Sequence, residues 1–200
     1  MSKWGMEEIE TLNAIDKISF HGDILNIAAG DGRFNNKILE SSDSVIAIDI
    51  DDDELEILKK NCQKELRDKL YTKKVDITDV FPFDAGIFDG IFCTGTLHLF
   101  ERKMLIKILK EIKRVLKING KIVLDFATDI QRIDKNGKRI VFDNEGSYSL
   151  QESIDFFNNE FKDFSINIDV AEFSEKNLDD SAGYQFIKGK FLVISGTKKI

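Results

Sequence analysis

Cysteine and histidine are scarce in this 200-residue chain, which holds two of each. Cys62, Cys93, His21 and His98 cannot assemble a structural zinc site of the usual ligand count. Two lone cysteines read as reduced thiols, the state expected of a cytoplasmic protein. Apolar runs long enough to span a bilayer are missing. The opening stretch MSKWGMEEIETLNAID is acidic and amphipathic and lacks the apolar core of a secretion signal, so neither export nor membrane contact is expected. Lysines and arginines interleaved with aromatics are missing too, and the formal net charge is -7. Sequence-independent attraction to a phosphate backbone is then weak, and nucleic acid ranks low as a partner. Repeats, low-complexity segments and linkers are absent. At 42% hydrophobic residues the chain is long enough for one core and short for two, so residues 1–200 read as a single domain.

What is present is an alternation of strand and helix patterns, the signature of a parallel sheet covered on both faces. An amphipathic helix is expected at about Met6 to Ile18, then a first strand over Asp23 to Ala28. RFNNKILE supplies a short helix with Phe34, Ile38 and Leu39 on one side, and SVIAIDI a buried strand ending at Asp49. DDDELEILKKNCQKELRDKL opens with acids and closes with bases, complementing the helix dipole, with Leu55, Leu58, Cys62 and Leu66 as its stripe. LYTKKVDITD predicts a third strand ending near Asp76, and GIFDGIFCTG a fourth ending near Cys93. Leu105, Ile108, Leu109, Ile112, Val115 and Leu116 recur at helical spacing up to Asn119-Gly120, whose left-handed geometry can end a helix. KIVLDFA is the fifth strand. Ser149 and Glu152 have capping-box spacing at the start of a last helix. FSINIDVAEF and YQFIKGKFLVISGTKK follow with no helix between them and should pair antiparallel. The fold class is α/β, three-layered and doubly wound, with a mostly parallel seven-stranded sheet and an antiparallel last strand pair.

Three strand ends carry polar groups: Asn26 with the glycine loop after the first, Asp49 after the second, Asp76 after the third. Carboxyl ends of parallel strands form the crevice where such sheets bind ligands. Gly30-x-Gly32 lets the main chain approach a nucleotide-bearing ligand closely. A carboxylate at position 49 can accept both hydroxyls of a ribose; its plainer role is a helix cap, for which Asp51, Asp52 and Asp53 are better placed. A dinucleotide fingerprint needs a third glycine where Asn35 stands, and Asp31 puts a negative charge inside the loop, which opposes a pyrophosphate. A zwitterionic ligand end is compatible with it.

In order and at normal spacing, ILNIAAGDGRF, the acid in VIAIDID, VDITDVFPF, FDGIFCTGTLHLF and LKEIKRVLKINGKIVLDF resemble the motifs of class I S-adenosylmethionine-dependent methyltransferases, over about Asp23 to Phe126. The resemblance implies S-adenosylmethionine as cofactor and S-adenosylhomocysteine as product. It also implies that Ala28, Gly30 and Gly32 lie against the methionine portion, Asp49 holds the ribose, Asp76 faces the adenine amino group, Ile50 and Ile77 sandwich the adenine, and Thr94 edges the cofactor. This chain departs from the pattern at Asn26, where the family usually has an acid, and at Ala28, where it usually has glycine. Asn26 can accept a hydrogen bond but brings no charge to an ammonium.

Few residues need be catalytic when the donor is already activated. In CTGTLHLF, His98 titrates near neutrality and is the candidate proton acceptor; its plainer role is a hydrogen-bonded residue pinning the loop. Cys93 reads as a small buried hydrophobe. The loop lacks the proline-bearing motifs of the base-modifying classes, and Asp125 and Asp129 lack a partner acid after the fourth strand, so no metal is expected. Residues 128–148 form an insertion in which Asn136-Gly137 signals a type I′ hairpin. It is a candidate lid, with Arg132, Arg139, Asp143 and Tyr148 facing substrate, and residues 1–22, including Trp4, would form a helical cap. An enclosed pocket suggests a small-molecule acceptor, ahead of a protein side chain and then RNA. Two alternatives stand beside this reading. One is a cofactor-binding protein without turnover. The other is a nicotinamide-dependent oxidoreductase using Tyr184 and Lys188, a spacing that works on a helix but falls here in a strand pattern.

Overall fold

The computed structural model describes residues 8–141, 147–176 and 183–199. Within them, strands β1 (Asp23–Ile27), β2 (Ser44–Asp49), β3 (Leu70–Lys74), β4 (Phe88–Cys93), β5 (Leu116–Ile133), β6 (Arg139–Ile140), β7 (Phe164–Lys176) and β8 (Phe186–Lys198) form one sheet. Its order is β3-β2-β1-β4-β5-β8-β7, with the two-residue β6 paired to β5 off that path. The first five strands are parallel, and β8 enters antiparallel between β5 and β7. Helices α1 (Ile9–Ile18), α2 (Asn35–Leu39), α3 (Asp52–Asn61), α4 (Arg102–Val115) and α5 (Leu150–Glu160) complete the fold.

Because side chains alternate along a strand, the apolar runs feed two cores at once. Leu25, Ile27, Ile91 and Leu124 pack on one face with Leu105, Ile108, Leu109 and Ile112 of α4 and Phe157 of α5. Ile24, Val45, Phe92, Val123 and Val193 pack on the other with Ala14 and Ile15 of α1 and Ile38 and Leu39 of α2. This is the expected three-layer arrangement. Each fully buried α4 side chain contributes roughly 1.5–3 kcal/mol, which fixes the helix leaving the fourth strand.

Several boundaries differ from the sequence expectation, each for a tertiary reason. The first helix runs from Ile9, Met6 lying outside the described residues. The first strand stops at Ile27 because Ala28 turns to φ +50°. The third helix ends at Asn61, and a 3-10 turn over Lys64–Lys69 replaces its expected last turns. The Asn61 amide donates to the Asp31 carbonyl at 2.9 Å, and the Gln63 N–H donates to Asn36 Oδ1 at 3.0 Å, so contacts with the glycine loop and α2 outcompete the next helical turn. The third strand stops at Lys74, leaving Asp76 in a turn. Asn119 takes φ +63° as expected, but α4 has already ended at Val115 and the pair bends the start of β5.

The fifth strand continues six residues past Ala127 to Ile133, across a bulge at Asp129, φ +52°, whose N–H donates to the Tyr148 carbonyl at 2.8 Å. The 134–138 turn is not type I′, since Asn136 keeps a negative φ and only Gly137, φ +79°, is left-handed. The Asp134 carboxylate instead takes the N–H groups of Asn136 and Lys138, both at 2.8 Å. Ser149 precedes α5, its hydroxyl bonded to the Glu152 carboxylate at 2.6 Å.

Candidate active site

Where β1, β2 and β4 end, together with the turn after β3, a single cavity of about 600 Å³ opens, within the roughly 300–1,000 Å³ usual for small-molecule sites. Of the residues singled out in the sequence, Asn26, Ala28, Gly30, Asp49, Ile50, Asp76, Ile77 and Thr94 line it. Gly32 and His98 do not. Gly32, at φ +82°, serves packing: a Cβ there would stand 2.7 Å from Leu58 Cγ, so the loop can seat on α3 only without a side chain.

The Asp49 carboxylate is held from two sides. Its Oδ2 accepts the Gly30 N–H at 2.8 Å and its Oδ1 the Asp51 N–H at 3.0 Å. Asp51, not Asp49, caps α3, accepting the Asp53 N–H at 2.9 Å. Asp76 Oδ1 accepts both the N–H and the hydroxyl of Thr78, at 2.9 and 2.7 Å, and these two bonds pull its pKa below the usual carboxylate value. Both acids are therefore fixed in place while retaining lone pairs for a ligand. Ala28 is in the left-handed region, which costs a residue with a Cβ roughly 1–2 kcal/mol; backbone strain of this kind concentrates at ligand sites. Asp31, 4% exposed, lines the cavity within the loop, where a pyrophosphate would meet its charge.

The far end of the cavity is lined by Arg33, Phe34, Phe92 and residues 94–96, 99 and 100. Arg33 Nη1 pairs with Glu8 Oε1 at 2.9 Å and its guanidinium lies 4.8 Å from the Phe34 ring centre. Asp125 Oδ1 accepts the Gly95 N–H at 2.7 Å, and burial raises the Asp125 pKa to about 7. Cys93 is buried, and burial followed by the nearby Asp125 and Asp49 charges drives its thiol pKa well up, consistent with an inert side chain. His98 sits in a 3-10 turn, its ring 6.4 Å from Phe126, and burial with the Arg132 charge lowers its pKa to about 4.

Tyr148 is buried, its hydroxyl donating to the Phe100 carbonyl at 2.6 Å. The described insertion residues do not line the cavity, and Asp143 and Trp4 lie outside the described residues. Tyr184 precedes β8 and Lys188 lies within it, so they do not share a helix face. Sequence reading passed over Asp125 as anything but a partnerless metal ligand, and did not single out Glu8 or Arg33 for the site. The one acid interrupting KIVLDFA at a strand's carboxyl end was the signal available.

The acceptors of Asp49 and Asp76 fit a cofactor with a ribose diol and an adenine amino group, and Asp31 in the loop opposes the pyrophosphate of a dinucleotide. Residues 25–124, half of the chain, match the family model described as a methyltransferase domain. No curated protein matches the chain by sequence. Among solved structures, the YcgJ protein from Bacillus subtilis is 15% identical with a TM-score of 0.70, the alignment covering 96% of this chain and 100% of that one. An S-adenosylmethionine-dependent methyltransferase from Mesorhizobium loti is 14% identical, TM-score 0.62, covering 94% and 96%. DhpI, solved with SAH, is 16% identical, TM-score 0.62, covering 90% and 81%. At such identities the likeness shows the fold. The family match, together with the sheet order and the cavity that this order creates, makes the chain a member of the class I S-adenosylmethionine-dependent methyltransferases, with S-adenosylmethionine as methyl donor and S-adenosylhomocysteine as product.

Proposed function

We propose that the protein methylates a small molecule held between the donor and residues 94–100. One observation carries this reading: a single bounded cavity runs from Asp49 and Asp76 past the glycine loop to Thr94, Leu99 and Phe100. In this reading the Asp49 oxygens accept the ribose hydroxyls and the free Asp76 oxygen accepts from the adenine amino group. Ile50 and Ile77 cover the adenine faces. Main-chain groups of Ala28 and Gly30, with the Asn26 amide, hold the amino-acid end, Thr94 edges the sulfur region, and Gly32 secures the loop from behind. Bound S-adenosylmethionine supplies an activated methyl group, so the chain's own contribution is placement and exclusion of water.

His98, with a pKa near 4, is neutral at pH 7 and too weak a base to take a substrate proton; its buried Nδ1 has no hydrogen-bond partner among the described residues, and its ring packs edge-on to Phe126. Of the expected cap, Glu8 reaches the site through its pairing with Arg33; of the expected lid, Tyr148 bonds to the lining residue Phe100, while the described residues of 128–148 themselves stand outside the lining. Among the described residues no helix is long and apolar enough to cross a membrane.

Isotope transfer tests the acceptor class. With methyl-labelled donor and a cell extract split by ultrafiltration, label should enter the small-molecule pool. Label confined to protein or nucleic acid would overturn the reading.

A further inference from the structure

Beside the far end of the cavity, just outside its lining, stands a buried carboxylate to which the cofactor placement gives no role, Asp125. Strand register locates it. Asn26 pairs across with Phe92, and Phe92 with Val123. Asp125 lies two residues beyond Val123, so it faces the same side one step nearer the carboxyl ends. There it stands beside Thr94 and Gly95, which line the cavity. It is 8% exposed, and among the described residues the hydrogen bond to its carboxylate is the one from Gly95.

A buried carboxylate with one neutral donor is under-compensated, because burying a charge costs far more than a single N–H returns. The charged and titratable groups around it do not resolve this. Arg33, from the α2 side, is paired to Glu8, from the start of α1; Cys93, from β4, is a protonated thiol. We propose that Asp125 is the acceptor-site carboxylate, and that the acceptor is a primary or secondary amine entering as its ammonium ion. This deepens the small-molecule reading of the same cavity and rests on it. An ammonium supplies the charge-assisted bonds that Asp125 lacks. A carboxylate acceptor would be repelled, and a simple hydroxyl is far too weak an acid to give up its proton here.

Burial, together with the Glu8 charge, against the Gly95 N–H and Arg33, leaves Asp125 titrating at about 7, which suits a proton acceptor working near neutrality. Asp125 takes one proton from the ammonium. The nitrogen lone pair so freed forms the N–C bond as the donor's S–C bond breaks, the bonding electrons stay on sulfur, and positive charge passes from sulfur to nitrogen. Asp125 then releases its proton to water.

The test uses the full chain. Calorimetry first measures S-adenosylhomocysteine affinity; failure to bind counts against the cofactor placement and not against Asp125, which the following titrations then decide in the unliganded protein. Benzylamine, phenethylamine and 1,4-diaminobutane are titrated against benzyl alcohol, phenethyl alcohol and 1,4-butanediol. At least one amine should bind tenfold or more tightly than its alcohol. Asp125→Asn should erase that preference while leaving S-adenosylhomocysteine affinity within twofold. The Asp125 carboxyl carbon signal in the wild-type protein should show its midpoint moving to lower pH on saturation with the preferred amine, a shift that a merely structural carboxylate would not show. Equal binding of amines and alcohols, a preference surviving in Asp125→Asn, or an unmoved midpoint would overturn the proposal.

Discussion

The carboxylates lining one end of the cavity and the one standing behind its other end are treated in opposite ways. At the Asp49–Asp76 end each acid receives two bonds from the protein, three of the four from backbone N–H groups, and Asp76 is held more acidic than usual. At the Asp125 end the acid receives one bond, and burial holds it near neutrality. An acid that must stay charged and still, to bind a fixed ligand, is surrounded by donors. One that is starved of donors keeps a proton within reach. The difference separates a binding device from a group available for chemistry, using the same side chain.

Titration of stability should break or sharpen that contrast most visibly. Between about pH 4 and 7 folded Asp125 retains a proton that the unfolded chain has lost, so its contribution to stability falls as pH rises through that window. A raised pKa of that size corresponds to up to about 4 kcal/mol at pH 8. Asp125→Asn should therefore gain on the wild type as pH increases, by denaturant midpoints at matched pH. A gap that stays flat from pH 4 to 8 would mean that the two ends do not differ.

Asp49→Ala should cost roughly 2–4 kcal/mol of cofactor binding by calorimetry, because it removes the acceptors for the diol and the anchor of the Gly30 N–H together; unchanged affinity would place the ribose elsewhere. His98 gives the opposite slope to Asp125. Its folded pKa near 4 means that the unfolded chain binds the proton first, so stability is lost as pH falls from about 6.5 to 4, by up to about 3 kcal/mol. His98→Gln should flatten that limb, and an unaltered acid limb would show that the ring is not held neutral.

Gly32→Ala forces a Cβ against Leu58 at φ +82° and should cost about 1–3 kcal/mol in thermal denaturation. The smallest effect is expected at Ala28. Ala28→Gly removes left-handed strain at φ +50° and should stabilise by up to about 1 kcal/mol; a loss of stability there would show that the methyl group packs usefully.

The parallel half of the fold was legible because buried strands announce themselves as continuous apolar runs: SVIAID became β2 and FDGIFC became β4 with little change. The position of Asp49 at the end of β2 followed from that, whereas Asp76 falls in the turn after β3, two residues past Lys74. Elements whose ends depend on distant partners were not legible. Nothing local in DDDELEILKKNCQKEL says that the helix will stop at Asn61, whose side chain bonds Asp31, nor does FATDIQRI say that β8 will carry the fifth strand across a bulge. Asn136-Gly137 fits a type I′ turn locally, but the Asp134 carboxylate gathers the neighbouring N–H groups and selects another. Asp125 was visible as an acid in an apolar strand. Its meaning depended on what surrounds it, namely Gly95, Glu8 and Arg33 arriving from three other segments.

The 13-residue β7 has a consequence for how copies of this protein behave at high concentration. As the last strand in the sheet order among the described residues, it offers one side of its backbone to any other extended chain. Asp169, Glu172 and Glu175 along it are exposed, so two such strands brought edge to edge would set acid against acid. That arrangement works as a guard against uncontrolled pairing, of the kind sheet proteins need wherever a long edge is left uncovered. Replacing the three acids by their amides leaves the fold's interior untouched, yet it should lower colloidal stability, seen as growing scattered light in a concentrated solution of the folded protein.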